Sequence, residues 1–185
     1  MYHTRQGGGV KLFFVFFLQR ERGQVAYIML DINSPLGQEA LAGEREAVAL
    51  FLRHYPVYRY VSTPKALPAS VDGFLEREGV VQAVVEVKVR SMTRDKLREY
   101  GDEWLLTADK VERGRLVSAE LCIPFVGFLY LLPERRLLTL AITDQEGRYM
   151  FDYHVRETYT KKTCNGGDAL RFNAYLPVGT AREYH

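Results

Sequence analysis

Cysteine is nearly absent from this 185-residue chain, which carries only Cys122 and Cys164. Two thiols cannot build a disulfide framework, and without a Cys-x-x-Cys pair a structural zinc site is unsupported as well. His3, His54, His154 and His185 are scattered, with none of the spacings that bring two imidazoles onto one metal. A long apolar run is missing too. Residues 12–18 (LFFVFFL) follow Lys11, but they fall far short of the ~20 apolar residues needed to cross a bilayer. No small-x-small cleavage site follows them, so they read as a buried strand rather than a secretion signal. A translation start at Met29 is an alternative that would make the first stretch an upstream extension. The expected setting is a reducing cytoplasm, without a membrane partner. Charge of one sign is also lacking: the formal net charge is +2, and this names no nucleic-acid partner by itself. No repeat, linker or Gly-x-Ser-x-Gly elbow occurs, and Ser70, Ser91 and the histidines form no nucleophile–base arrangement. Gly166-Gly167-Asp168 lacks the lysine and helix of a phosphate loop and reads as a turn.

What is present is a globular composition. Hydrophobic residues make up 47% and charged residues 26% of the chain, enough apolar surface for one domain with a single substantial core. Residues 11–19 and 24–30 flank an Arg-Glu-Arg-Gly turn and predict a hairpin. Ser34 as N-cap and Pro35 at the first helical position open a helix. Ala40, Ala47, Val48, Phe51 and Tyr55 recur along it at helical steps up to Pro56, and Gly43 weakens its middle. A strand is predicted over 57–62. A hairpin follows, with strands at 70–75 and 80–90 around a turn at 76–79; the second strand, VVQAVVEVKVR, is strongly β-prone. Thr93 caps a short helix ended by Gly101, and a longer helix is expected over 107–121, with Leu105 counted among its apolar positions. Strands at 124–132 and 137–143 follow. The last part is aromatic and polar, with Asn165-Gly166-Gly167 as a hairpin turn. This order predicts an α/β fold with a mixed central sheet flanked by helices, an N-terminal hairpin and a C-terminal β extension.

The chemistry concentrates on one strand face. Side chains alternate along a strand, so Glu86, Lys88 and Arg90 share a side while Val85, Val87 and Val89 point into the core. Placing a carboxylate and an ammonium on so apolar a strand is costly unless they are partnered. Asp72, on the preceding strand of the hairpin, falls beside Glu86. Two adjacent carboxylates repel unless a cation lies between them, and an all-oxygen donor set favours Mg²⁺ or Mn²⁺ over zinc. Lys88 points into the same pocket, where it can hold a water or a phosphate oxygen. A lone Glu-x-Lys is ordinarily a solvated cross-strand ion pair; Asp72 at hairpin spacing is what makes it a metal site.

The helix with Glu44 and Glu46, then Ser70-Val71-Asp72-Gly73, then Val84-Val85-Glu86-Val87-Lys88-Val89-Arg90, resembles the PD-(D/E)XK restriction-endonuclease-like superfamily. It is most similar to that group's small bacterial and phage nucleases. The resemblance spans roughly residues 36–143 and includes Leu106-Thr107-Ala108-Asp109-Lys110 and Ile123-Pro124-Phe125. It implies a restriction-endonuclease-like fold, with residues 1–185 as one nuclease domain: 1–33 an N-terminal hairpin or extension, 34–143 the catalytic core and 144–185 the β extension. It implies Asp72 and Glu86 as metal ligands with the Val87 carbonyl as a third, and Lys88 orienting or activating the attacking water. It implies a helical acid as well, for which Glu44 is preferred to Glu46 because it shares the face of Ala47, Val48 and Phe51. Lys110, from the second helix, and Arg90 are the candidate substrate contacts. Val71 stands where the family name has proline.

The expected function is therefore Mg²⁺-dependent hydrolysis of phosphodiester bonds in DNA, with Mn²⁺ substituting, and a homodimer would suit cleavage of both strands. Two rivals are a protein that keeps the fold for nucleic-acid binding or assembly without hydrolysis, and a secreted or membrane-associated protein driven by residues 12–18. Arg156, Lys161, Lys162 and Arg171 lie among aromatics near the C-terminus, a mix that suits a nucleic-acid backbone but that reads first as a solvated sheet face.

Overall fold

The computed structural model describes residues 35–65, 69–160 and 169–185. The hairpin expected over 11–30, the Ser34 cap and the turn at 165–167 lie outside the described residues.

Helix α1 runs Pro35–His54, with Arg53 and His54 in its last turn, where cations oppose the negative end of the helix dipole. Ala47, Leu50 and Phe51 are buried against the sheet. Gly43 proves useful in spite of its low helix propensity. A Cβ there would lie 2.9 Å from Val89 Cγ1, so glycine lets the helix axis come close to the strand and brings the neighbouring Glu44 with it.

Strands β1 (Arg59–Ser62), β2 (Gly73–Arg77) and β3 (Val80–Arg90) form an antiparallel meander. The expected strand at 70–75 is displaced to Gly73–Arg77, leaving Asp72 just before β2. The turn is tighter than the predicted 76–79: Glu78 (φ 54°) and Gly79 (φ 81°) alone make it, two consecutive positive φ values that match the twist of a two-residue hairpin. The register between β2 and β3 shifts at Leu75/Glu76.

After β3 come α2 (Arg94–Glu99), capped by the Thr93 hydroxyl, which accepts from the Lys96 amide, then β4 (Glu103–Thr107) and α3 (Ala108–Leu121). Strand β4 is a correction to the sequence reading, which assigned Leu105 to the helix. Apolar residues at 104, 105 and 106 suit either period, and pairing of β4 with a distant strand decides for β. The remaining elements are β5 (Phe125–Leu131), β6 (Arg136–Thr143), β7 (His154–Thr160), β8 (Ala169–Pro177) and β9 (Arg182–Tyr184).

The result is α/β with two sheets rather than one. The larger is mixed, in the order β1-β2-β3-β5-β6-β9; the smaller is antiparallel, in the order β4-β8-β7. Strand β3 pairs parallel with β5, with Glu86 opposite Gly127, and the crossover between them contains α3. Both faces of β3 are buried. Val85 and Val87 pack with Ala47, Leu50, Phe51 and Phe128 on the α1 side. Val84 packs with Trp104, Leu106, Val111, Phe125 and Leu129 on the side of α3 and the small sheet. Each fully buried large apolar side chain contributes about 1.5–3 kcal/mol, so this sandwich fixes the strand register rigidly. Glu86, Lys88 and Arg90 have the parity of Val84 and emerge on the α3 side. Among the described residues, no helix is long and apolar enough to cross a membrane.

Candidate active site

Asp72 is fixed by backbone before any side chain contributes. Its N–H donates to the Val85 carbonyl (3.0 Å), and its own carbonyl accepts from the Thr63 N–H (3.0 Å). Its carboxylate Oδ2 then accepts the Val87 N–H at 2.9 Å. The sequence reading expects Val87 to contribute its carbonyl; what joins Val87 to the site here is its amide, which orients Asp72.

The other oxygen, Oδ1, receives two lysines. Lys110 Nζ lies 3.5 Å from Asp72 Oδ1 and 3.2 Å from Glu86 Oε2, and it also reaches the Ala69 carbonyl at 3.3 Å. Lys65 Nζ lies 3.5 Å from the same Asp72 oxygen and 3.0 Å from Glu44 Oε2. Acids and ammoniums therefore alternate in a chain: Glu44, Lys65, Asp72, Lys110, Glu86. Glu46 is elsewhere, accepting the Tyr130 hydroxyl at 2.9 Å.

Electrostatics follows from this packing. Glu86 is only 4% exposed, and burial pushes its carboxyl up to about 8, with the Asp72 charge adding to the rise and Lys110 and Lys88 opposing it. Lys88 reaches the surface, yet protein atoms crowd its ammonium. That crowding, together with the Arg90 charge, lowers its pKa, against the opposing pull of Glu86, Asp72 and Glu44. For Lys65, desolvation is outweighed by the charges of Asp72 and Glu44, and its pKa rises. Burial, then the charges of Asp72, Glu44 and Glu86, hold the Tyr60 phenol protonated well above its usual value. Tyr60 sits against Gly73, where a Cβ would lie 2.5 Å from the phenol oxygen. Arg90 is committed to the fold: its guanidinium donates to the Leu105 carbonyl at 2.8 Å, tying β3 to β4.

Lys65 and Tyr60 are the site residues that sequence reading missed. Lys65 lies between Pro64 and Pro68 in a stretch that reads only as loop, and Tyr60 reads as one more aromatic in a strand. Neither carries a motif, and only the β1–β2 pairing brings them to Asp72.

Among the described residues, no three of the carboxylates, histidines and cysteines converge to hold one metal ion. Two carboxylates do share one cation, the Lys110 ammonium, and carboxylate oxygens are the donors that hard divalent cations take.

The proton on Glu86 makes stability depend on pH. Its folded value, about 8, lies above the ordinary 4.5, so the folded state holds a proton that the unfolded chain releases. The associated stability is complete below the unfolded value and is lost as pH rises through the folded one. In EDTA, Glu86→Gln should therefore gain stability relative to the wild type between pH 5 and pH 8.5 (about the span of the shift). Urea unfolding of both proteins at the two pH values checks this; an equal difference at both would contradict it.

No protein family matches the chain, and no curated protein or solved structure matches it either.

Proposed function

We propose that this protein is a metal-dependent DNA nuclease of the PD-(D/E)XK type, hydrolysing phosphodiester bonds at Asp72, Glu86 and Lys88. The observation that carries the reading is the shared cation. Asp72 and Glu86 both lie within 3.5 Å of Lys110 Nζ, while Lys88 occupies the next position on the same face of β3. The topology supports it: a helix, an antiparallel three-stranded meander and a parallel strand reached through a helix is the restriction-endonuclease-like order.

Asp72 and Glu86 would hold the ion, with Glu44 at the far side of Asp72. Such an ion supplies Lewis-acid polarisation of a phosphoryl oxygen when bound. Asp72 is oriented for the task by the Val87 amide. Lys88, with its pKa lowered by crowding and Arg90, exchanges a proton with the attacking water more readily than an ordinary lysine. Lys110 reaches into the site from α3 and meets the phosphate. Calorimetric titration with Mn²⁺, with and without DNA, separates this reading from a fold retained for binding alone: heat of metal binding is expected, and its absence in both titrations would contradict the proposal.

The small sheet supplies the surface for the rest of the substrate. Pairing of β7 with β8 sets His154 opposite Tyr175, Arg156 opposite Asn173 and Thr158 opposite Arg171, so these six share one face. The Arg156 guanidinium lies over the Tyr175 ring, 5.5 Å from its centroid, and His154 stacks on the same ring. Pairing with β4 ends at Thr107–Asn173. The ribbon continues from Phe172 to Ala169, projecting by roughly 14 Å at strand rise from the end of β4 where the helix of Lys110 begins. A two-stranded ribbon fits a DNA major groove. Arg156→Ala combined with Arg171→Ala should weaken duplex binding and reduce the slope of log K against log salt by about 1.8, two phosphate contacts' worth. An unchanged slope in a filter-binding salt series would remove the ribbon from the interface.

A further inference from the structure

Two lysines hold the positions between the site's carboxylates. Lys65 Nζ lies between Glu44 (3.0 Å) and Asp72 (3.5 Å), and Lys110 Nζ lies between Asp72 (3.5 Å) and Glu86 (3.2 Å). Both bear on one oxygen, Asp72 Oδ1, whose partner oxygen is already taken by the Val87 amide. Two of the acids lie deeper than the bases, whereas Glu44, on α1, is 26% exposed and level with them. The Asp72 and Glu86 side chains are 15% and 5% exposed, whereas those of Lys65 and Lys110 are 29% and 31% exposed. Asp72 and Glu86 are therefore built in at the sheet, while the ammoniums approach from the solvent side on flexible four-carbon stems that can withdraw.

We propose that Lys65 and Lys110 are built-in counter-ions that a divalent cation displaces when it enters, so that metal binding and lysine release are one exchange. This rests on reading the site as a metal centre. Without a counter-ion, Glu44, Asp72 and Glu86 would place up to three negative charges in a poorly solvated space. The two ammoniums offset that repulsion in the metal-free protein. They also compete for the oxygens that a cation needs: an ammonium sits at hydrogen-bond distance, whereas Mg²⁺ requires about 2.0–2.1 Å to each oxygen, and both cannot occupy the same gap. Once displaced, each lysine keeps its charge beside the site, at the place where a phosphodiester would enter. Lys65 and Lys110 are thus positioning residues in the metal-free state and phosphate contacts in the loaded one.

The test is Mn²⁺ titration calorimetry, without DNA, on the wild type and on Lys65→Met, Lys110→Met and Lys110→Arg. Each methionine variant is expected to bind Mn²⁺ about fivefold or more tightly than the wild type, at the lower end of ordinary coupling between competing ligands. Lys110→Arg, which keeps the charge, should not gain affinity. In EDTA the methionine variants should unfold at lower temperature than the wild type, and saturating Mn²⁺ should stabilise them by more. If the wild type binds Mn²⁺ and the methionine variants bind equally or more weakly, the exchange is overturned while the metal centre stands. If neither wild type nor variants bind Mn²⁺, with or without DNA, the metal centre itself falls. Acetic anhydride labelling of the wild-type protein, read by mass spectrometry, makes the test independent of the variants' folding. Mn²⁺ should increase modification of Lys65 and Lys110, and labelling that stays level or falls would contradict their release.

Discussion

Asp72→Asn, Glu86→Gln and Lys88→Met are each expected to lower Mg²⁺-dependent DNA cleavage by about a hundredfold to a thousandfold, the loss seen when a group stabilising transition-state charge is removed from a preorganised site. The substitutions are chosen to leave the architecture in place. Asparagine at position 72 keeps an oxygen to accept the Val87 N–H, so the start of β2 stays pinned to β3 while the charge that would hold a cation is lost. Glutamine at 86 removes a carboxylate that is almost wholly buried and, in the absence of metal, energetically costly in its ionised form. Methionine at 88 keeps the apolar stem and removes the amine proposed to exchange a proton with water. Their metal responses should differ. Asp72→Asn and Glu86→Gln should lose Mn²⁺ affinity together with activity, whereas Lys88→Met should retain the metal and lose the rate. Circular dichroism and calorimetry on the same preparations check both halves, and cleavage that survives all three substitutions would contradict the assignment.

The second large effect is on the fold beneath the site. Gly127 is the register partner of Glu86, and a Cβ there would collide with the Trp104 ring and lie 3.1 Å from Ile142 Cδ1. Trp104 is 1% exposed, buried within the core on that side of the sheet. Gly127→Val should therefore cost about 3 kcal/mol or more through overpacking, a fall in melting temperature of roughly 6–12 °C for a domain of this size. The damage should also reach function. The ring of Trp104 holds the small sheet against β5, and pushing it away shifts β4, the anchor of Arg90 through the Leu105 carbonyl. Cleavage measured well below the melting point should fall as well. A melting temperature within a degree or two of the wild type (about 0.5 kcal/mol) would mean that the contact between the sheets is looser than it appears.

Much of this was legible in the chain because local periods and global burial agree. The alternation of Glu86, Lys88 and Arg90 with valines fixes one polar face on an otherwise apolar strand, and the strand forms over 80–90 as its β-branched residues dictate. Helix α1 starts at the proline that marks it. Where local signals are ambiguous, tertiary pairing decides. Trp104-Leu105-Leu106 joins β8 instead of extending α3, and that choice creates a second sheet that no pattern before residue 108 announces. The strand near Asp72 is misplaced at both ends: positive φ values at Glu78 and Gly79 confine the turn and let β2 run to Arg77, while Asp72 bonds through its backbone to Val85 and Thr63 from just outside the strand. Gly43 reads as a weakness in a helix and instead leaves room for Val89, which a Cβ at that position would crowd. Lys65 was invisible because a lysine in a proline-bounded loop carries no periodic signal, and its role depends wholly on which strands flank that loop.

The central claim, a metal-dependent phosphodiesterase built on Asp72, Glu86 and Lys88, is tested most directly by a cleavage assay. The purified 185-residue protein would be incubated with plasmid, linear, single-stranded and branched DNA in Mg²⁺, Mn²⁺ or EDTA, with Lys88→Met as the control preparation. Cleavage of at least one of these substrates with either metal, abolished by EDTA and absent from the Lys88→Met protein, is the expected result. No cleavage of any substrate with either metal, or cleavage that the Lys88→Met protein performs equally well, would contradict it.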